Sequence, residues 1–249
     1  MSDLQHPDSR PFELVAELYE RVRPGYPPEA VRWIAERLDL RPGRIVLDLG
    51  AGTGKLTRAL VETGAEVLAV EPGDAMRAEL ERVVPQVQAL RGSAESIPLP
   101  DRSVDAITVG QAFHWFRFDK ALPELHRVLR PGEGLALIWN GRDQGSPLQA
   151  EIKHLLEPFV PSGRAVAPDT SRHLAESPLF HSFEQRTFRF IQKLDADALV
   201  GRIASISFVA GSTPEKRAEL EGKLRELAAR SGGVVDFPYV TDVYVSRAA

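Results

Sequence analysis

The chain of 249 residues contains no cysteine. Disulfides, thiolate zinc sites, cysteine-bound iron–sulfur clusters and cysteine nucleophiles are thereby excluded. There is no excess of positive charge either: 31 Lys and Arg stand against 35 Asp and Glu, a net charge of -4. Such a chain sets up no overall cationic field for a phosphate backbone, so no nucleic-acid partner is expected. No apolar run approaches the roughly 18 residues of a membrane span, and the opening "MSDLQHPDSR" has no apolar signal core. The expectation is a cytoplasmic protein without a membrane partner. His6, His114, His126, His154, His173 and His181 show no paired ligand spacing, so no metal is expected. Repeats and low-complexity tracts are also missing.

What is present is enough apolar sequence, 43% of residues, to bury a substantial core in one large domain or one domain with a cap. Short apolar runs at 44–49, 66–70, 87–91, 104–110 and 134–139 alternate with helical stripes such as Leu56, Ala59, Leu60 and Leu122, Leu125, Val128, Leu129. This is the pattern of a parallel sheet covered on both faces. Four segments are expected: an N-terminal helical cap segment at 1–40, a ligand-binding core at 41–141, a Pro-, Gly- and Ser-rich cap or lid insertion at 142–181 with one helix near 148–156, and a C-terminal part at 182–249 completing the sheet. In the last part a strand is expected at 183–191 and helices opened by Asp195 and by Thr213, with Pro214 at the first helical position. Leu220, Leu224, Leu227 and Ala228 give the second helix its buried stripe. The closing "VVDFPYVTDVYVSRA" reads as an edge strand, since Pro238 cannot donate to a ladder.

The first strand runs into "GAGTGK", a glycine turn that opens a helix. Such a turn places backbone amides and the positive helix end against a bound group. A phosphate loop is ruled out because Gly50 stands too close to Gly54 and Lys55 is followed by Leu56. The dinucleotide fingerprint fails because Lys55 stands where its third glycine belongs.

The spacing of Asp48, Gly50, Gly52 and Gly54 in "VLDLGAGTG" resembles motif one of the class I S-adenosylmethionine-dependent methyltransferases, and "VLAVEPGDAM", "GSAESIPLPDRSVDAITV" and "LRPGEGLALIW" resemble the family's later segments in order. "LYERVRPGYP", "GQAFHWF" and "LDADALVGRIASISF" resemble the small-molecule branch that includes trans-aconitate methyltransferase-like proteins. The resemblance implies a Rossmann-like α/β fold, with a seven-stranded, mainly parallel sheet, helices on both faces and a helical cap. It implies S-adenosylmethionine as cofactor, held by Asp48, Gly50, Ala51, Gly52, Thr53, Gly54, Glu71, Pro72, Met76, Ser93, Ala94, Glu95, Gln111, Tyr19 and Arg23. Glu71 would accept the ribose hydroxyls, and Ser93, Ala94 and Glu95 would lie at the adenine. The acceptor pocket is expected at Tyr26, Phe113, His114, Trp115 and Arg142.

Absences then narrow the acceptor. "GQAF" replaces the Asp/Asn-Pro-Pro-aromatic of amide and adenine amino methyltransferases, and methylation through a covalent thiolate needs a cysteine. A small-molecule acceptor with an oxygen, nitrogen or carbon nucleophile remains, possible carboxylates included, methylated by in-line displacement. Arg142, Arg164 or Arg172 would orient a carboxylate, and His114 is either a positioning residue or the catalytic base that a hydroxyl would need. The competing readings are an NAD(P)-dependent Rossmann oxidoreductase and a catalytically inactive S-adenosylmethionine-binding regulator.

Overall fold

In the computed structural model, residues 16–160 and 171–249 are described. Residues 1–15 and 161–170, and with them His6, Arg164 and parts of the expected N-terminal and cap segments, lie outside the described residues. The strands are β1 (Ile45–Leu49), β2 (Glu66–Val70), β3 (Gln88–Leu90), β4 (Val104–Gly110), β5 (Leu129–Arg142), β6 (Glu184–Asp195) and β7 (Val234–Arg247). The helices are α1 (Ala16–Val22), α2 (Pro28–Leu38), α3 (Lys55–Val61), α4 (Asp74–Val83), α5 (Phe118–Val128), α6 (Pro147–Leu156), α7 (Ser171–Ala175), α8 (Ala196–Ala204), α9 (Ser207–Ala210) and α10 (Pro214–Arg230).

The strands form one seven-stranded sheet in the order β3-β2-β1-β4-β5-β7-β6. β1 to β5 pair in parallel, and β7 runs antiparallel to both of its neighbours. Continuous burial along "VDAITV" of β4 is what a central parallel strand covered on both faces requires. Alternate side chains go to opposite layers: Val46, Ala106 and Ala136 meet Ile34, Leu60 and Leu80 of α2, α3 and α4, while Leu47, Ile107 and Leu137 meet Leu122 and Leu125 of α5. The order reverses between β1 and β4, which places the ends of β1, β2 and β4 around one crevice, the usual ligand position in open α/β sheets. No described helix is long and apolar enough to cross a membrane.

Two local expectations are corrected. β7 is not an edge strand, because β6 covers its outer side. Pro238 is tolerated there because its carbonyl, and therefore its missing N–H, faces the β5 side just past the last ladder pair, Arg142 with Tyr239, where it accepts from the Asp143 amide at 3.2 Å. β5 starts directly after α5 and runs through "RPGEG", with a register shift between its pairs to Val104 and Ala106 absorbing the irregular stretch.

A third apolar cluster lies beyond the sheet layers. Ile152 of α6, Leu199 and Ile203 of α8 and Leu224 of α10 pack on Phe237 and Tyr239 of β7. The Asp195 carboxylate caps α8 by accepting from Ala198 N at 2.8 Å, and Thr213 caps α10. This helical layer draws more from residues 196–230 than from the 142–181 insertion. β7 ties it to the sheet, because Val243 and Val245 of the same strand belong to the central core. Leu224→Ala should therefore cost about 2–5 kcal/mol of unfolding free energy. Fluorescence and circular dichroism should still report one shared transition; separate transitions would mark the layer as an independent unit.

Candidate active site

The loops after β1, β2 and β4 converge with the segment following α1 on a cavity of about 310 Å³. The turn after β1 is fixed to β2: the amides of Gly50 and Ala51 both donate to Val70 O, at 2.8 and 3.2 Å. Gly50 has φ +68°, and a Cβ there would stand 2.7 Å from that of Ala112. Only glycine lets the two loops approach this closely.

Glu71, at the end of β2, spans two loops with its carboxylate. Oε2 accepts from Gly52 N at 2.8 Å and Oε1 from Gly73 N at 2.9 Å. Asp48 lies deeper, 1% exposed. It accepts from Thr57 Oγ1 at 2.6 Å and Thr108 Oγ1 at 3.4 Å, and no described lysine or arginine forms a salt bridge with it. Burial pushes the Asp48 carboxyl up to about 7, with the two threonines pulling it down and the charge of Glu71 adding to the rise.

The N-terminal wall is clamped onto the glycine turn by Glu20 of α1. Its carboxylate accepts from Thr53 Oγ1 at 2.6 Å and pairs with Arg58 at 2.7 Å and Lys55 at 3.3 Å, while Lys55 also donates to the Glu20 carbonyl at 2.6 Å. Tyr19, Arg23 and Tyr26 thereby face the cavity, with the Arg23 guanidinium 5.1 Å from the centre of the Tyr19 ring. Asn140 holds the same wall from the end of β5, donating to Gly25 O at 2.9 Å. Gln111, with φ +59°, sits in the left-handed region, held by its amide to Ile138 O and its side chain to Asn140 O, both 3.0 Å. A non-glycine residue kept there carries strain of order 1–3 kcal/mol, a mark of functional loops. Ser93, Ala94 and Glu95 form a third wall, and His114, Trp115 and Phe116 a fourth. His114 is exposed, its ring 4.6 Å from that of Trp115.

Asp48, Gly50, Ala51, Gly52, Thr53, Glu71, Pro72, Met76, Ser93, Ala94, Glu95, Gln111, Tyr19, Arg23, Tyr26, His114 and Trp115 all line this one cavity. Four expected residues do not. Gly54 lies behind the turn, where a Cβ would press on Leu80 of α4 and on Val84 just after it at 3.0 and 3.1 Å, so its place is a packing requirement. Phe113 is fully buried between Phe116, Phe118 and Trp139. Arg142 stands outside the lining, and Arg172 is an exposed partner of Glu176. The described part of 142–181 contributes no lining residue.

Sequence reasoning passed over Glu20, Asn140, Arg202 and Tyr239. Glu20 and Asn140 look like ordinary polar residues in a linear reading. Arg202 carried a signal, a cation three residues after Leu199 and one before Ile203, inside the buried stripe of α8.

Sheet order, glycine turn and acidic strand ends together define the class I methyltransferase architecture. A methyltransferase domain matches residues 47–137. The chain is 41% identical over 229 residues to an uncharacterized methyltransferase of Mycobacterium tuberculosis, covering 90% of this chain and 89% of that protein. It is 33% identical over 244 residues to an uncharacterized methyltransferase of Schizosaccharomyces pombe, covering 96% and 97%. The solved structure of a protein assigned as a type II methyltransferase from Anaeromyxobacter dehalogenans superposes with a TM-score of 0.67 at 28% identity, over 91% of this chain and 97% of that one. The chain belongs to the methyltransferase family.

Two outcomes follow from the site. A carboxyl whose folded pKa is raised from 3.8 to about 7 binds protons more tightly folded than unfolded. It therefore destabilises the fold fully above about pH 7, and that cost fades as pH falls toward 3.8. Asp48→Asn should raise the Tm of the ligand-free protein at pH 8, by an amount of order a few kcal/mol in stability, and by clearly less at pH 5.5; a Tm gain independent of pH would refute the assignment. Separately, Glu20→Ala should speed amide exchange in α1 by about tenfold or more while leaving β1 unchanged. Unaltered exchange in α1 would show that Glu20 does not clamp it.

Proposed function

We propose that this methyltransferase takes its methyl group from S-adenosylmethionine and passes it to a small-molecule acceptor by in-line displacement. The observation that carries the reading is Asp48: a buried carboxylate on the cavity wall, without a described cationic side chain to neutralise it, suits a ligand that brings its own positive charge. The donor's ammonium would lie toward Asp48, directly or through neighbouring amides. Glu71, which holds the amides of Gly52 and Gly73, would also accept the ribose hydroxyls. Ser93, Ala94 and Glu95 would flank the adenine, and Met76 and Pro72 its apolar edge. The same features disfavour a dinucleotide, since Glu71 occupies the Gly52 amide that a pyrophosphate would use and two buried carboxylates repel its charge.

When bound, S-adenosylmethionine supplies an electrophilic methyl on sulfur: the acceptor's lone pair forms the new bond to carbon while the carbon–sulfur pair returns to sulfur, leaving a neutral thioether. The chain's own residues orient and exclude water. Holding reactants in line contributes on the order of 7–11 kcal/mol, and here the clamped wall of Tyr19, Arg23 and Tyr26 faces the aromatic wall of Trp115 and Phe116. His114, exposed at the cavity edge, acts in positioning; an acceptor that arrives without a proton on its nucleophile needs no base. The cavity volume and the resemblance of "LYERVRPGYP" and "GQAFHWF" to the trans-aconitate methyltransferase-like branch support a small acceptor, and a cytoplasmic place of action fits it.

Titration calorimetry tests the reading. S-adenosylhomocysteine should bind and NAD should not, and Glu71→Ala should weaken the former by roughly 1.5–3 kcal/mol, the range for hydrogen bonds to a charged group. Tight NAD binding without a response to S-adenosylhomocysteine would overturn it.

A further inference from the structure

The cavity that holds the Asp48 carboxylate also carries unneutralised charge of the other sign. Arg23 follows α1, Arg142 ends β5 and Arg202 lies on α8, so three separate elements bring guanidinium groups to one place. Arg202 is 5% exposed, and its Nε donates to Tyr239 Oη at 2.7 Å, with the guanidinium stacked 5.7 Å from that ring's centre and 5.8 Å from that of Phe237. Arg23 Nη2 donates to Ser205 O at 2.7 Å. These partners are neutral. Among the described residues no carboxylate forms a salt bridge with any of the three, whereas Arg44, Arg58, Arg127 and Arg225 are all paired. Arg23 Nε, Arg142 Nη1 and Arg202 Nη1 are buried with no hydrogen-bond partner.

Buried donors without acceptors, on cations without counter-ions, are costly and call for a ligand that supplies both. The strain is mutual. Burial first, and then the charge of Arg202, lower Arg23 to about 10, and the same two causes in the same order lower Arg142. A guanidinium fork matches the two oxygens of a carboxylate. The proposed donor brings one carboxylate of its own, which would engage Arg23, the arginine beside Tyr19 and the glycine turn. The charge of Arg202, with Arg142 behind it, is left over.

We infer that Arg202, supported by Arg142 and Tyr239, binds a carboxylate of the methyl acceptor, so that the substrate class is a small organic acid whose apolar part lies against Tyr26, Trp115 and Phe116. Arg202 and Tyr239 line the same cavity as Asp48 and Glu71, so one cavity offers carboxylates to a cationic donor and a guanidinium to an anionic acceptor. This rests on the methyltransferase reading of the cavity and adds the acceptor's charge to it.

The test uses the full chain saturated with S-adenosylhomocysteine, so that the donor's carboxylate is already in place. Calorimetry then compares benzoate, phenylacetate and succinate with their amides, and with inorganic phosphate. At least one acid should bind about tenfold or more tightly than its amide, and Arg202→Gln should remove that preference. Arg142→Gln, at a half-buried position, should reduce it. Relieving repulsion among the three clustered cations should leave the Tm of ligand-free Arg202→Gln at or above that of the wild type, whereas a purely structural arginine would lower it. Equal binding of acids and amides, no binding of any acid, or preference for phosphate would overturn the carboxylate assignment while leaving the donor site intact. Failure of S-adenosylhomocysteine itself to bind would instead remove the underlying reading of the cavity.

Discussion

The structure turns on a buried carboxylate that the described chain does not neutralise. Asp48 is held in the ladder between β2 and β4, with two threonine hydroxyls as its bonding partners and Glu71 close enough to raise its proton affinity. An apolar residue there would pack at no electrostatic cost. Keeping an acid, and placing a second acid at the end of the next strand, makes sense if the ligand supplies positive charge. The glycine turn follows from the same demand, because a side chain at Gly50 would collide with Ala112 and force the loops apart. So does the Glu20 clamp, which brings the N-terminal helix over the turn and closes one side of the cavity.

The rest of the molecule can be understood as holding two charge environments apart in one cavity. The parallel half of the sheet, β1, β2 and β4, presents carboxylates and backbone amides. The helical layer on β7 presents Arg202 and Tyr239, and it is rigidly placed because Phe237 and Tyr239 belong to a strand that also enters the central core. On the proposed reading, the sheet carries the donor side and the helical layer the acceptor side, in line with the general finding that function resides in sites carried on a shared fold.

Much of this was legible in the sequence. Parallel strands buried on both faces read as uninterrupted apolar runs, so β2 and β4 are found at their observed bounds, and the caps Asp195 and Thr213 act where the sequence places them. The donor-side residues are local, all within a few positions of a strand end, and a linear motif captures them. The acceptor side is not local. Tyr239 reaches the cavity from the last strand and Arg202 from α8, far apart in sequence, and no linear motif joins them. Pro238 misled because its missing donor faces the end of the β5 ladder rather than open solvent. Phe113 misled because an aromatic run after a strand has inward and outward members, and its own position points into the core.

The most direct measurement is an experimental structure of the full chain with S-adenosylhomocysteine. The account predicts ribose hydroxyls within hydrogen-bonding distance of the Glu71 carboxylate, the ammonium on the Asp48 side, and Arg202 left facing an open part of the cavity. A ligand whose ribose lies away from Glu71, or whose ammonium points toward Arg202, would contradict it.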